Sequence, residues 1–301
     1  MQQRFLILNK IAALIDEHLD VLALAETNDN GKPLTLSTRV DIPRASSNFR
    51  FFATGLMHFA SESHSMEDKA INYTLRQPIG VVGCISPWNL PLYLFSWKIA
   101  PALVAGNCVV AKPTEVTPYT AYLLSEVCIA AGLPKGVLNI VHGLGSKIGD
   151  VISLHPDIKA ISFTGGTSTG KRIASLAAPM FKKLSLELGG KNPTVIFADC
   201  NFDKMLKTVL RSAFENQGQI CLCGSRIFVE ASLFEQFKTD FIERVSQLTV
   251  GHPSNESTQV GALVSKAHIE KVLSFIDRVD SNGGKLLHGG KRVRIKGHED
   301  G

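Results

Sequence analysis

Cys108-Val-Val-Ala-Lys112, Val137-Leu-Asn-Ile-Val141, Ala160-Ile-Ser-Phe163 and Leu184-Ser-Leu-Glu-Leu188 are short apolar runs separated by helical patterns. Thr117 to Ala131 reads as a helix closed by Gly132, Lys147 to Leu154 as a second helix, and Thr167 to Ala178 as a third. This strand-helix rhythm predicts a parallel sheet with helices on both faces, because parallel neighbours need a long crossover between them. The expected fold class is therefore α/β, with a Rossmann-type parallel sheet. Ligands of such sheets bind outside the carboxyl ends of the strands.

Working outward toward the N-terminus, Ile79 to Ile85 is a short apolar run broken by glycines, and Ile71 to Arg76 alternates like a strand. A helix starts near Pro43 and carries Phe49, Phe51 and Phe52. Helical spacing fills residues 4 to about 27 and stops at the turn signal Asn28-Asp-Asn-Gly-Lys-Pro33. Toward the C-terminus a second alternation follows. It comprises strands at Thr194–Phe197 and Arg226–Val229, a helix from Phe202 to Asn216, and helices at Leu233–Leu248 and Lys266–Asn282. The glycine pair Gly189-Gly190 marks the expected boundary, giving domains 1–188 and 189–301. No internal repeat or low-complexity tract interrupts the chain.

Of the 301 residues, 45% are hydrophobic and 20% charged, an ordinary balance for a soluble globular chain able to bury a core. The formal charge of +5 is spread along the sequence, and its densest stretch, Lys285 to Lys296, reads as a solvated turn. Aromatics do not interleave with basic residues, so no nucleic-acid partner is expected. The first helix pattern is broken by Lys10, Asp16 and Glu17 and no small-residue cleavage site follows, unlike a signal peptide. No apolar run reaches the roughly 18 residues of a membrane span. The six cysteines have neither disulfide-framework nor zinc spacing, which points to a reducing, cytoplasmic compartment and no metal.

Five places could carry chemistry. Cys221 follows a predicted helix and the segment Asn216-Gln-Gly-Gln219. A cysteine nucleophile needs exposure and help to ionise, yet taken alone Cys221 reads first as a buried thiol, the usual fate of cysteine. Glu187 stands in an apolar strand just before two glycines. Placed in a cleft, it would gain basicity from burial and suit general-base work; it reads equally as a strand-end glutamate paired with a lysine. Asn89, between Pro87 and Pro91, is a neutral donor fixed enough for an oxyanion hole, or simply part of a turn. Lys112-Pro-Thr-Glu115 follows a buried strand. An acid there can accept from both ribose hydroxyls and repel a 2′-phosphate, or the segment is an ordinary charged loop. Phe163-Thr-Gly-Gly166 runs from strand into helix, where a pyrophosphate can approach. No Gly-x-Gly-x-x-Gly is present in this region.

Taken together and in this order, these motifs resemble the aldehyde dehydrogenase superfamily. The carriers are Pro87-Trp-Asn89, Trp97-Lys-Ile-Ala-Pro101, Lys112-Pro-Thr-Glu115, Phe163-Thr-Gly-Gly166, Glu187-Leu-Gly-Gly190 and Gly218-Gln-Ile-Cys221, with a step of 34 residues from Glu187 to Cys221. Asp41-Ile-Pro-Arg44, Asn48-Phe-Arg-Phe-Phe52, Asn72-Tyr-Thr-Leu-Arg76, Asn89-Leu-Pro-Leu-Tyr93 and Cys221-Leu-Cys223 resemble the 2-aminomuconic and 2-hydroxymuconic semialdehyde dehydrogenase branch. The resemblance covers the chain from about residue 4 onward.

The resemblance implies NAD-dependent oxidation of a carboxylated semialdehyde to the acid through a thioester on Cys221. It places the oxyanion between the Asn89 side chain and the Cys221 backbone N–H. It makes Glu187 the activator of water and Lys98 a proton relay. It assigns the cofactor site to Ile85, Ser86, Pro87, Trp88, Lys112, Glu115, Gly145, Phe163, Thr164, Gly165, Gly166 and Leu188, with residues 1–188 as the NAD-binding domain and 189–301 as an incomplete catalytic domain. Arg44 is the candidate for a substrate carboxylate, and reads equally as a helix-start surface arginine. Many relatives have serine at Gly166, which would leave one pyrophosphate bond unmade. The family's N-terminal strands, its Glu-x-Phe-Gly-Pro motif and the C-terminal oligomerisation strand are not found in the chain, although the family implies a homo-oligomer. A second reading is therefore an inactive truncated product that binds nucleotide weakly or pairs with full-length subunits. A cysteine hydrolase of another fold lacks a suitable histidine, since His252 and His268 have no supporting motif.

Overall fold

A computed structural model describes residues 1–299. The chain begins with helices α1 (Gln2–Glu17), α2 (Leu19–Asn30), the single turn α3 (Leu34–Leu36) and α4 (Ile42–Met57). A hairpin of β1 (Ser63–Met66) and β2 (Ala70–Tyr73) follows. Then come β3 (Val81–Ile85), α5 (Pro91–Val104), β4 (Cys108–Lys112), α6 (Tyr119–Ala130), β5 (Leu138–Ile140), α7 (Gly145–Leu154), β6 (Ile158–Gly165), α8 (Thr167–Ala177) and β7 (Lys183–Leu188). The last part holds β8 (Pro193–Ile196), α9 (Phe202–Phe214), β9 (Arg226–Val229), α10 (Phe234–Ser246) and α11 (Lys266–Ile276). Among the described residues, no helix is long and apolar enough to cross a membrane.

Contacts divide the chain into two compact units, Met1–Leu22 with Val40–Glu187, and Ala23–Arg39 with Leu188–Gly301. The break between Glu187 and Leu188 falls one residue before the 188/189 boundary expected from the sequence. The grouping of Ala23–Arg39 with the later residues was not expected.

In the first unit, five strands form a sheet in the order β5-β4-β3-β6-β7. Strands β3 to β6 run parallel, as the alternation requires. From the central β3 the chain moves outward through β4 and β5, then returns to β3's other side at β6. The strand order thus reverses beside β3, the position at which open parallel sheets bind ligands at their carboxyl ends. Gly83 permits the close approach of α7 to β3, because a Cβ at that position would lie 2.6 Å from Ile152 Cγ2. The predicted helix over residues 4–27 is two helices. His18 ends the first: its ring bonds the Leu14 carbonyl at 2.8 Å and its backbone leaves helical values. Leu8, Ile11, Ala12 and Ile15 on α1 pack toward Ile42, Ala45, Phe49 and Ala53 of α4, both sets at helical spacing. Ser46 adds a bond from Oγ to the Ala12 carbonyl at 3.1 Å.

In the second unit, β8 and β9 pair in parallel around α9. Ile196, Leu206, Val209 and Phe237 form its buried cluster. Asn201 caps α9, accepting from the Lys204 N–H at 3.1 Å, and Ser265 caps α11, accepting from the His268 N–H at 3.2 Å.

Candidate active site

Register brings the candidates of the first unit into line. Ile85 at the end of β3 faces Lys112 of β4 on one side and Phe163 of β6 on the other. The turn that follows, Ser86 to Asn89, is anchored by the Ser86 N–H donating to the Lys112 carbonyl at 3.1 Å. Thr117 Oγ1 donates to the Trp88 carbonyl at 3.4 Å. Asn89 is buried, Pro87 and Trp88 half-buried. The Asn89 amide is thus held on a fixed turn at the end of the central strand.

Lys112 is buried, and its ammonium donates to Glu115 Oε2 and to the Pro113 carbonyl, both at 3.0 Å. Glu115 Oε1 accepts from the Gly145 N–H at 3.2 Å, at the first residue of α7. Desolvation works against ionisation of Glu115. The bonds from its own backbone, Lys112 and Gly145 outweigh it and, with the Lys112 charge, hold the carboxyl below its usual range. The acid expected to meet a ribose is therefore charged and aimed. Thr164 is buried, and Gly165 and Gly166 carry the chain into α8. A Cβ at Gly166 would meet nothing within 4 Å, so the approach to the α8 N-terminus is open. An anionic dinucleotide fits this arrangement: open glycine backbone before a helix start, and a charged acid one loop away.

Lys98, on α5, is buried and donates to Ser162 Oγ at 3.2 Å. Burial pulls its ammonium down to about 8, against the attraction of the Cys84 and Glu187 charges. The neighbouring Cys84 thiol donates to the Lys98 carbonyl at 3.7 Å, and burial pushes that thiol up to about 12. The expectation of a buried Glu187 is corrected here. Glu187 is exposed, because β7 lies at the sheet edge and alternates strictly, with Leu184, Leu186 and Leu188 half-buried and Lys183, Ser185 and Glu187 open. Arg44 is also exposed, and its guanidinium lies over the rings of Tyr93 at 5.5 Å and Trp97 at 5.9 Å.

In the second unit, Cys221 is half-buried while Cys223 beside it is buried, its thiol raised chiefly by desolvation. Three consecutive left-handed residues precede the cysteine: Asn216 (φ 52°), Gln217 (φ 56°) and Gly218 (φ 71°). Only the glycine adopts this without strain; each of the others costs about 1–2 kcal/mol. The strained turn is tied down by side chains. Gln217 Nε2 donates to the carbonyls of Ala262 at 2.7 Å and Gly31 at 3.3 Å. Gln219 Oε1 accepts from the Val264 N–H at 3.3 Å. Residue 261 must be glycine for this seat, since a Cβ there would stand 2.1 Å from the Gly31 oxygen. Beyond the turn, Asn192 Nδ2 donates to the carbonyls of Cys221 at 2.6 Å and Cys223 at 3.2 Å. The sequence assigns Asn192 no role, since its acceptors lie 29 and 31 residues away.

Residues 1–301 match the aldehyde dehydrogenase family profile. The 2-aminomuconic semialdehyde dehydrogenase of Mus musculus is 49% identical over 289 residues, covering 96% of this chain and 59% of that protein. The 2-hydroxymuconic semialdehyde dehydrogenase of Pseudomonas sp. (strain CF600) is 44% identical, covering 96% and 61%. The NAD+ complex of an aldehyde dehydrogenase from Bacillus cereus superposes with a TM-score of 0.96 at 36% identity, covering 98% of this chain and 60% of that one. PnpE from Pseudomonas sp. WBC-3 gives 0.95 at 38% identity, covering 98% and 60%. The chain thus spans about three fifths of the length of the relatives it matches.

Proposed function

Because this chain belongs to the aldehyde dehydrogenase family, we propose that it carries the acyl-transfer residues and nucleotide grip of an NAD-dependent semialdehyde dehydrogenase. The observation that carries the reading is the Cys221 turn: a half-buried thiol on a strained segment tied down by named side chains. Strain of this kind is kept where surroundings over-determine it, often at reactive sites.

In this reading Cys221 attacks the aldehyde carbon as the thiolate. The Asn89 amide and the Cys221 N–H stabilise the resulting oxyanion as neutral donors, strong enough to assist attack and weak enough to let it collapse. Bound NAD supplies the hydride acceptor for that collapse, leaving an acyl thioester on Cys221. Glu187 takes a proton from the water that releases the acid. Its exposure leaves it open to water, and Lys98, with a midpoint near 8, can pass that proton on. Lys112, Glu115, Gly145 and Thr164 to Gly166 hold the nucleotide, and the Glu115 charge favours a free 2′-hydroxyl over a 2′-phosphate. In this reading residues 1–188 are the nucleotide domain and 189–301 the catalytic domain, and Leu188, next to Glu187, belongs to the cofactor site. The substrate class is a carboxylated semialdehyde, with Arg44 receiving the carboxylate; the names of the similar proteins and the position of Arg44 on two rings support this. A soluble, cytoplasmic, homo-oligomeric protein is the family-consistent setting.

The test is NADH formation by purified protein with NAD and 2-aminomuconic or 2-hydroxymuconic semialdehyde. Turnover that vanishes in Cys221→Ala supports the reading. Nucleotide binding by calorimetry with no turnover would reduce the activity to nucleotide binding alone. Turnover that survives Cys221→Ala would sink the assignment of the nucleophile.

A further inference from the structure

We propose that Asn192 is a positioning residue for Cys221, its carboxamide setting the conformation of the thiol-bearing turn through the carbonyls of residues 221 and 223. The inference rests on Cys221 being the nucleophile. A single Nδ2 carries two N–H donors, and here it reaches both carbonyls, at 2.6 and 3.2 Å. Holding both oxygens fixes the peptide planes that follow Cys221 and Cys223, and the first of these sets the ψ angle of Cys221 and so helps to aim its side chain. The donor is itself well mounted. Asn192 precedes Pro193, which biases it toward extended backbone. Its carbonyl accepts from the Arg226 N–H at 3.2 Å, in the β8–β9 pairing. Arg226 Nε also donates to the Lys191 carbonyl at 2.8 Å.

The two sides of the turn are held differently. Upstream, Gln217 and Gln219 grip the backbone of residues 31, 262 and 264. Asn192 acts on the cysteine's own peptide group. Its N–H groups also offset the negative ends of two carbonyl dipoles close to where the thiolate must form. Asp at this position has nearly the same shape, but presents oxygen to oxygen and adds a negative charge.

The test is alkylation by iodoacetamide across a pH series, without aldehyde or nucleotide, with each modified cysteine located by mass spectrometry. Asn192→Ala should slow Cys221 alkylation about ten-fold or more, and Asn192→Asp should also move its pH profile upward. Cys200, half-buried in the same unit, should react as in the wild type, and buried Cys223 should stay protected. The decision falls to whichever variant keeps Cys223 protected. An unchanged Cys221 rate and profile in that variant overturns the proposal. Loss of Cys223 protection in both variants also overturns it, because Asn192 then merely holds the unit together. Failure of the dehydrogenase reading would show separately, as wild-type protein that labels normally at Cys221 yet forms no NADH.

Discussion

Replacing Lys98 with methionine should make the first unit more stable at neutral pH. The lysine is 4% exposed, and burial lowers its midpoint from the ordinary 10.5 to about 8. Holding it charged therefore costs roughly 3 kcal/mol wherever both folded and unfolded chains are protonated. The Lys98→Met side chain would remove that cost and forfeit the bond to Ser162, about 1 kcal/mol. A net gain of roughly 2 kcal/mol follows. The pH dependence has a definite sign. Below pH 8 the whole cost is present. Between 8 and 10.5 the unfolded chain binds more protons than the folded one, so wild-type stability rises with pH. The gap between variant and wild type should narrow by roughly 1 kcal/mol from about pH 8 to about pH 9. Cys84 titrates in the opposite sense above that range and is present in both proteins. Urea unfolding followed by tryptophan fluorescence is the assay, because both tryptophans, Trp88 and Trp97, belong to the first unit. Equal or lower stability of Lys98→Met at neutral pH, or a gap indifferent to pH, would refute a costly buried ammonium at this position.

Three further substitutions have expected outcomes. Glu115→Gln removes the charge beside Lys112, so NAD should bind about ten-fold more weakly and discriminate less against a 2′-phosphate in calorimetry. Because the Glu115 midpoint lies below 4.5, its contribution to stability is present above that pH and lost as pH falls further; acid melts of Glu115→Gln should lack that loss. Gly261→Ala drives a Cβ against the Gly31 oxygen and should cost about 1–3 kcal/mol in thermal melts, slowing Cys221 alkylation as the Gln217 seat shifts; a silent substitution would argue against that seat. Arg44→Gln should raise KM for a carboxylated aldehyde about ten-fold and leave a neutral aldehyde unaffected; equal effects would remove Arg44 from the substrate site.

What the sequence determined by itself was local. Cys108–Lys112 and Arg226–Val229 are strands with the expected bounds, because a run of β-branched and apolar residues between turn signals is information carried within a few residues. The order of strands and helices in the parallel sheet was legible for the same reason. The helix Pro91–Val104 was not, since its continuous apolar content and internal Pro101 hide the helical period. Nor was the strand Ser63–Met66, whose polar residues pair only because Ala70–Tyr73 folds back on them.

Motifs named Cys221, Asn89, Lys112 and Glu115, but their geometry depended on partners far along the chain. Register alone sets Ile85 between Lys112 and Phe163. The edge position of β7 left Glu187 open where an apolar neighbourhood in sequence suggested burial. The carbonyls that Asn192 and Gln217 hold are addressed through space, and no periodicity encodes a bond between residues 29 or more positions apart. Residue type and period decided which elements form and which groups can react. Tertiary packing decided which of those groups are dry, charged or held still, because desolvation and hydrogen bonding are properties of neighbours in space rather than in sequence.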